Sequence, residues 1–389
     1  MDSCSKGCYS YAQWAASAGH CLGMAVSKQA VFERVNQAAS ARFACAAFKH
    51  VMGSKLAAVT DGTLFARFRR VLLQDSTTLR LPETLAGHYA GSSNGDGQHA
   101  VLRLQCLINI KAMQWLDISL RPFTSNDQSA SGMAVPLLRK GDLLIRDLGY
   151  FALNVFEQVQ QQQAFYISRL KYGVNLYDTM GNVVNWKHLC SKKGIIDQVV
   201  VAGAKQKLSV RIVMVPLPQQ QVAEKVRRAR KDRDKRLKHS PDYYLWLRYN
   251  VFITNVPNTM LEAGQIAETY KVRWQIEMVF KAWKSCLNMQ KALHSNCTNI
   301  HRAETTIYLV LMFFCLIVQK VYMPHNRLVH QQGGAYLSLL KVCRHVWVNL
   351  IYCINLPPQK LKQVLIKHCC YESRNDRTNM TEIIRNKKL

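Results

Sequence analysis

The sequence predicts an α/β fold organised around one sheet, and three observations predict it. Short extended runs separated by turn residues follow one another from residue 71 to residue 147. Apolar residues recur at helical spacing before residue 50, and the chain reads almost wholly as helix after residue 260. With 389 residues the chain is long enough for about two or three domains. A hydrophobic content of 49% excludes disorder as a global description.

The elements follow in order. In "SYAQWAASAGH", Tyr11, Trp14, Ala15 and Ala18 share a helical face and Gly19 offers a stop; "VSKQAVFERVNQ" restarts from Ser27 as an N-cap. A helix, a short connection and a second helix carrying Lys28 and Arg34 fit a helix-turn-helix, although an ordinary helical hairpin gives the same pattern. "VLLQDSTTLRLP", "HAVLRLQCLINI" and "WLDISLRP" predict three strands of an antiparallel meander, with "GHYAGSSNGDGQ" as a loop. After the loop "SNDQSASGM", "GDLLIRDLGYF" predicts a fourth strand ending near Asp147. Residues 151–165 predict a helix and "YISRL" a strand. The signals between 175 and 256 are mixed, with clear strands only in "KLSVRIVMVPL" and "LWLRYNVFITNV". A long helical stretch follows Pro257, then helices at 303–320, 336–352 and 359–370 and a loosely held tail.

Charge narrows the function. Lys and Arg total 52 against 24 Asp and Glu, a formal charge of +28 that creates a field attractive to polyanions. Nucleic acid is the leading partner, ahead of an anionic membrane surface. The run Glu224 to Lys238 holds nine basic and three acidic residues, which suits a solvated arm or contact with a nucleic-acid backbone. It has almost no apolar face, so it does not read as a membrane-surface helix. The 13 cysteines show no paired zinc-like spacing and read as reduced, mostly buried side chains. The first residues lack a signal-peptide pattern, and Ile307 to Val318 is shorter than the roughly 20 residues a membrane span needs.

The acids are sparse and well placed. Asp75 follows "VLLQ" and Asp147 follows "LLIR", so each is expected at a strand end, where a short side chain is held rigidly. Two or three such carboxylates can bind Mg²⁺ through hard oxygens. Two metals about 4 Å apart activate water or a 3′-hydroxyl for in-line attack on phosphorus. In "YKVRWQIEMVFKAWK", an ideal helix sets Tyr270, Arg273, Glu277 and Lys284 within roughly 60 degrees of arc, beside an apolar stripe of Val272, Ile276, Val279, Phe280, Trp283 and Leu287. Glu277 is placed to complete the site from a helix. A simple Arg273–Glu277 surface salt bridge is the alternative.

These residues resemble the bacterial DDE-type insertion-sequence transposases, in particular the insertion-sequence-four family. That family's signature is Tyr, two residues, Arg, three residues, Glu, six residues, Lys, and Tyr270, Arg273, Glu277 and Lys284 match every interval. "QDSTTLRLP", "IRDLGYF" and "ITNVP" extend the resemblance over about residues 70 to 320. The position after the second acid, often Arg in the family, is Leu148 here. Asp61 in "AAVTDGTLF" competes for the first acid, but the strand before Asp75 and the Ser/Thr-rich, Leu-Pro continuation favour Asp75.

The resemblance implies a ribonuclease-H-like catalytic core, a mixed five-stranded sheet with flanking helices, spanning 65–174 and 257–325. It implies a mainly β insertion at 175–256, while the helical pattern itself predicts a DNA-binding region at 1–60, with weaker support from the resemblance, and a helical C-terminal region at 326–389. Asp75, Asp147 and Glu277 would be the catalytic, metal-binding acids, taking Mg²⁺ with Mn²⁺ able to substitute. Tyr270, Arg273 and Lys284 would contact DNA near the cut end. From its charge alone, the basic run offers Lys225, Arg227, Arg228, Arg230 and Lys231 as backbone contacts, a solvated arm being the other reading; by the resemblance, Trp246 would stack on a displaced base if the excised end passes through a hairpin. A buried strand aromatic is the other reading of Trp246. The implied activity is binding of terminal inverted repeats, hydrolysis there and transfer of the 3′-OH ends to target DNA. The protein would act as a dimer in the synaptic complex, at the nucleoid in the cytoplasm. A non-catalytic, sequence-specific DNA-binding descendant is the alternative.

Overall fold

In the computed structural model, which describes residues 10–53, 65–92, 99–191, 194–231, 239–294, 298–333 and 336–372, the extended runs become one nine-stranded sheet. Its strands are β1 (Val71–Leu81), β2 (Ala100–Asn109), β3 (Gln114–Pro122), β4 (Leu143–Arg146), β5 (Phe165–Arg169), β6 (Leu176–Tyr177), β7 (Ile196–Ala202), β8 (Leu208–Pro216) and β9 (Tyr249–Thr254). They lie in the order β3-β2-β1-β4-β5-β9-β8-β7-β6. The expected meander is present: β1, β2 and β3 are antiparallel neighbours. β4 and β5 then add in parallel beside β1, giving a mixed sheet.

The strands of 176–254 continue that sheet, because β9 pairs with β5 from Ile167–Thr254 to Arg169–Phe252. β7 escaped the sequence reading. It buries Ile196, Val200 and Ala202, but Val199 on the other face is 55% exposed, which blurs the apolar and polar alternation.

Both faces of the sheet are covered at β4, which is why Leu143, Leu144 and Ile145 read as a continuous apolar run before the buried Arg146. On one face Val71, Leu73, Ile145 and Ile167 share a core with Ile276, Val279, Trp283, Ile307 and Leu311. On the other, Leu72, Leu144, Tyr166 and Ile253 pack with Phe156 and Val159 of α4 (Leu153–Gln161). Alternation along β1 therefore decides which layer each side chain meets.

The N-terminal helices are α1 (Tyr11–Leu22), α2 (Lys28–Val35) and α3 (Ala38–Met52). α1 runs through Gly19, the expected stop, and ends at Gly23, whose φ of 66° suits glycine. Ser27 caps α2 as expected, its hydroxyl accepting from the Ala30 N–H at 3.0 Å. α3 buries Ala41, Ala44 and Phe48. In the 176–254 region α5 (Trp186–Ser191), α6 (Gln219–Arg230) and α7 (Pro241–Trp246) accompany the strands. Trp246 therefore ends a short helix instead of lying in a strand. Ser240 caps that helix with Pro241 in its first turn, which stops the β9 pattern from extending backwards.

The remaining helices are α8 (Ala263–Lys271), α9 (Trp274–Lys281), α10 (Met289–His294), α11 (Ile300–Leu316), α12 (Met323–Gly333), α13 (Leu339–Val348), α14 (Leu350–Asn355) and α15 (Pro358–Cys369). A π-helical segment, Ile317–Tyr322, joins α11 to α12. The stretch Ile300–Val329 is long and apolar enough, by length and composition, to cross a membrane. It is longer than the apolar run read from sequence. In this fold Ala303, Ile307, Val310, Leu311 and Phe314 belong to the core beneath β1, and Arg302, Thr305, Thr306 and Asn326 are buried polar residues on the same stretch. The ten described cysteines are free, and six of them are buried. Asp61, residues 232–238 of the basic run and the tail from 373 lie outside the described residues.

Candidate active site

The parallel pairing of β1 with β4 ends at Gln74 and Arg146. The next residue on each strand is an acid, so Asp75 and Asp147 stand side by side where β4 stops. Asp147 is at the expected strand end. Asp75 is not: β1 continues to Leu81 because β2 pairs with it along its whole length, and only the β4 side of the ladder has ended. Asp75 has the same parity as Val71 and Leu73, and so faces the α8–α9 layer. Its side chain is 12% exposed, whereas that of Asp147 is 45% exposed.

The facing segment is not one helix. α8 ends at Lys271, Val272 and Arg273 form a turn, α9 begins at Trp274, and Ala282–Cys286 is π-helical. The single-arc geometry expected for Tyr270 through Lys284 therefore fails at both ends, while Arg273 and Glu277 keep their four-residue spacing. The expected apolar stripe does hold: Val272, Ile276, Val279, Phe280, Trp283 and Leu287 are all buried. Trp283 lies 5.3 Å from the Trp115 ring and 5.8 Å from that of Phe314. This anchoring turns Arg273 and Glu277 toward the end of β4.

Arg273 is the centre of the arrangement. Its Nη1 donates to Asp75 Oδ2 at 2.9 Å and its Nη2 to Glu277 Oε1 at 2.7 Å, and its Nε lies 3.7 Å from Asp147 Oδ1. The three acids separated by up to 202 positions in the chain thus meet on one guanidinium whose side chain is 13% exposed. The Arg273–Glu277 pair, the alternative reading of this spacing, exists, with the arginine side chain 13% exposed and the glutamate half-buried. Burial works against the Arg273 charge, yet Asp147, Tyr270, Asp75 and Glu277 outweigh it and hold its pKa above the ordinary value. Burial pushes the Asp75 carboxyl up to about 6; the Ser76 N–H and Arg273 oppose that rise, and Asp147 and Asp127 add to it. Tyr270 is buried and donates to Asp147 Oδ1 at 3.3 Å. Lys284 sits half-buried on the π-helical segment and, among the described residues, forms no ion pair; burial lowers its pKa.

The other expected DNA contacts lie apart from this cluster. On α6, Arg227 and Arg228 both bind Glu224, at 2.8 Å each, and Arg230 and the following Lys231 are exposed. Lys225 instead folds against the sheet, its Nζ 3.2 Å from Asn250 Oδ1. Trp246 is half-buried, packed edge-on against Trp186 at 4.7 Å and Tyr172 at 5.5 Å. Burial, followed by Arg169, lowers the Lys225 pKa to about 8 from its ordinary 10.5. Between those values the unfolded chain holds a proton that the folded chain has released, so stability rises with pH across that window. Lys225→Met is therefore expected to gain stability relative to wild type at pH 7.5 and to lose that advantage by pH 10, read from urea midpoints at both values. A difference independent of pH would contradict this.

Two residues at the site were not singled out from sequence. Arg146, fully buried beside Asp147, donates to Gln74 Oε1 at 3.2 Å and to the Ser131 and Tyr150 carbonyls at 3.0 Å each. Burial lowers its pKa to about 10. Asp127, in the loop before Ala130, accepts hydrogen bonds from Ser76, Arg103 and Gln105. A lone basic residue closing "LLIR" and an Asp in a polar loop carry no local signal of either role. Leu148, where the family often has Arg, is 39% exposed.

Among the described residues, no three His, Cys, Asp or Glu side chains are set to hold a metal ion. The donors at the site are nevertheless all carboxylate oxygens, the type a hard divalent cation takes, and they already enclose one positive group.

Residues 66–316 match the family described as "Transposase DDE domain". The chain is 30% identical over 318 residues to the transposase for insertion sequence element IS231F of Bacillus thuringiensis subsp. israelensis, covering 75% of this chain and 66% of that protein. It is 29% identical over 333 residues to the IS231B transposase of Bacillus thuringiensis subsp. berliner, covering 79% and 68%. With the IS1151 transposase of Clostridium perfringens the identity is 24% over 252 residues, covering 59% and 53%. The chain thus spans about two thirds, or less, of the length of these relatives. The family match runs from the residues before β1 to the end of α11 and includes the whole sheet with Asp75, Asp147 and Glu277. This chain belongs to the DDE-domain transposases of bacterial insertion sequences.

Proposed function

We propose that the chain is a divalent-metal-dependent DNA transposase of the insertion-sequence-four type, with Asp75, Asp147 and Glu277 as its catalytic acids. The observation that carries this reading is their convergence on Arg273. Salt-bridge lacing of a surface helix accounts for the Glu277 pair alone; it gives no reason for two further acids from β1 and the end of β4 to meet the same guanidinium. The order β3-β2-β1-β4-β5, with β4 and β5 parallel to β1, supports a ribonuclease-H-like core.

In this reading Asp75, Asp147 and Glu277 would hold Mg²⁺, or Mn²⁺ in its place, and the ion when bound would supply Lewis-acid chemistry for a water or 3′-hydroxyl nucleophile and for the leaving oxygen. The chain's own residues orient the DNA. Arg273 exchanges carboxylate partners for a phosphate near the cut end, a fork that guanidinium geometry favours. Tyr270 holds Asp147, and Lys284, free of an acid partner among the described residues, meets the phosphate backbone as a point charge. The exposed bases of α6 extend the backbone contact, and Trp246 offers a ring for a displaced base. α1 and α2 bind terminal repeats as a helix-turn-helix, and two protomers hold two ends at the nucleoid.

The test begins with the DNA flanking the gene, whose inverted repeats define the substrate. The protein is expected to bind such an end with a steep salt dependence and to nick it in Mg²⁺ or Mn²⁺ but not in EDTA. Binding without nicking in either metal, with matching repeats on both sides, would favour the non-catalytic DNA-binding alternative.

A further inference from the structure

Asp75 does not stand alone on its strand. The backbone N–H of Ser76 donates to Asp75 Oδ1 at 2.8 Å, which fixes one carboxylate oxygen. The Ser76 side chain points to the opposite face of β1 by alternation. There its hydroxyl donates to Asp127 Oδ1 at 2.7 Å and accepts from Arg103 Nη1 at 3.1 Å. The same Asp127 oxygen accepts from Arg103 Nη1 at 3.0 Å and Gln105 Nε2 at 3.1 Å, both on β2. Gln105 in turn accepts from the Tyr150 hydroxyl at 2.5 Å.

Asp127 also abuts the turn that carries the second acid. A Cβ built on Gly149 would lie 3.1 Å from Asp127 Oδ2 and 3.3 Å from its Cβ. Glycine at 149 therefore lets the loop approach the backbone two residues beyond Asp147. One side chain thus touches the residue after Asp75 and the turn after Asp147.

We propose that Asp127 is a positioning residue that sets the orientation and spacing of Asp75 and Asp147 through Ser76 and Gly149, and thereby tunes divalent-metal binding. The inference rests on the reading of Asp75 and Asp147 as metal ligands. Asp127 touches neither acid directly. It acts through a hydrogen-bond chain, Asp127 to Ser76 hydroxyl and Ser76 amide to Asp75, that removes the freedom of β1 to rotate its acid away from Asp147. Groups that orient ligating carboxylates in this way commonly change metal affinity by about 10- to 100-fold when removed.

Mn²⁺ binding to the whole chain, followed by electron paramagnetic resonance, tests this without DNA, and thermal unfolding checks the fold of each variant. Asp127→Ala is expected to weaken Mn²⁺ binding about tenfold. Asp127→Asn keeps an oxygen for Ser76 and Gln105 and is expected to stay within about threefold of wild type. Ser76→Ala removes only the hydroxyl link, preserves the strand and is expected to weaken binding about threefold. Because both act through one bond, the double variant Ser76→Ala/Asp127→Ala should bind no more weakly than Asp127→Ala. Asp75→Asn serves as the reference and should lose the binding. If Asp75→Asn loses Mn²⁺ while Asp127→Ala and Ser76→Ala retain wild-type affinity, the positioning role is overturned and the metal-site reading stands. If Asp75→Asn binds as wild type does, the metal-site reading falls and the inference falls with it. Should Asp127→Ala fail to fold, Ser76→Ala decides the matter: unchanged affinity overturns the role.

Discussion

Glu277→Gln is expected to fold, to bind end DNA and to lose metal-dependent cleavage by a factor on the order of a thousand. Glutamine nearly preserves the volume of Glu277 and keeps an oxygen that Arg273 Nη2 can address, but it removes the charge that a hard cation requires. The apolar stripe that seats α9 lies on Ile276, Val279 and Phe280, so the substitution leaves the packing of the helix intact. The side chain of Glu277 is 34% exposed, which keeps the stability cost of losing its ion pair small. The check is a Mg²⁺-dependent nicking assay on end DNA, alongside filter-binding affinity and circular dichroism. Normal nicking by a folded Glu277→Gln protein would remove Glu277 from the catalytic set.

Arg273→Ala is expected to have a different signature, a loss of stability together with a loss of end affinity. Its guanidinium is 13% exposed and serves Asp75, Glu277 and Asp147 at once, so truncation leaves three acids facing one another with no compensating charge. Breaking such a partly buried arrangement costs about 2 kcal/mol after allowance for the exposure of Asp147. The double variant Arg273→Ala/Glu277→Gln should recover part of that cost, because one of the repelling charges is gone. Lys284→Ala is expected to leave stability nearly unchanged, since Lys284 forms no ion pair among the described residues. Each basic substitution should reduce the salt slope of end binding by about one for every phosphate that its side chain neutralises in the wild-type protein. Urea unfolding of the single and double variants and a salt series of end affinity measure the two effects separately. Equal stability of Arg273→Ala and wild type would show that the acids do not depend on the guanidinium, and unchanged affinity and slope in both basic variants would remove Arg273 and Lys284 from the DNA-binding set.

The two substitutions also separate the roles of one short helix. In the proposed reading Glu277 would contribute charge to chemistry, and Arg273, which pairs with Asp75 and Glu277 and lies beside Asp147, would hold the acids together before DNA arrives. Their four-residue spacing brings Arg273, at the N-cap of α9, beside Glu277 in its first turn, and the buried Trp283 cluster anchors the segment that follows.

The sequence by itself determined the parts of this protein that depend on local pattern. Extended runs with turn residues between them gave β1 to β5 nearly to the residue, and the capping serine gave the start of α2. The 3.6-residue repeat marked the stripe from Val272 to Leu287, all of which is buried. An expected strand ending, which holds for Asp147 and not for Asp75, together with the family resemblance carried by Tyr270, Arg273, Glu277 and Lys284, singled out Asp75, Asp147 and Glu277, which the fold brings to one guanidinium. Local pattern is sufficient for such features because each is set by residues a few positions apart.

Tertiary structure decided the rest. The joining of β9 to β5, which turns two groups of strands into one sheet, depends on pairing between residues more than 80 positions apart. The break at Val272 and Arg273 and the π-helical turn at Ala282–Cys286 are invisible to a repeat that assumes 100 degrees per residue. Asp75 lies within a long strand because β2 outlasts β4 as its partner, and no run of residues around Asp75 records where a neighbouring strand stops. Arg146 and Asp127 have the composition of surface residues. They become part of the site because carbonyls and hydroxyls from distant segments satisfy them: Ser131 and Tyr150 for the arginine, Ser76, Arg103 and Gln105 for the aspartate. A buried polar group is stable only where its partners come together, and that is settled by the packing of the whole chain.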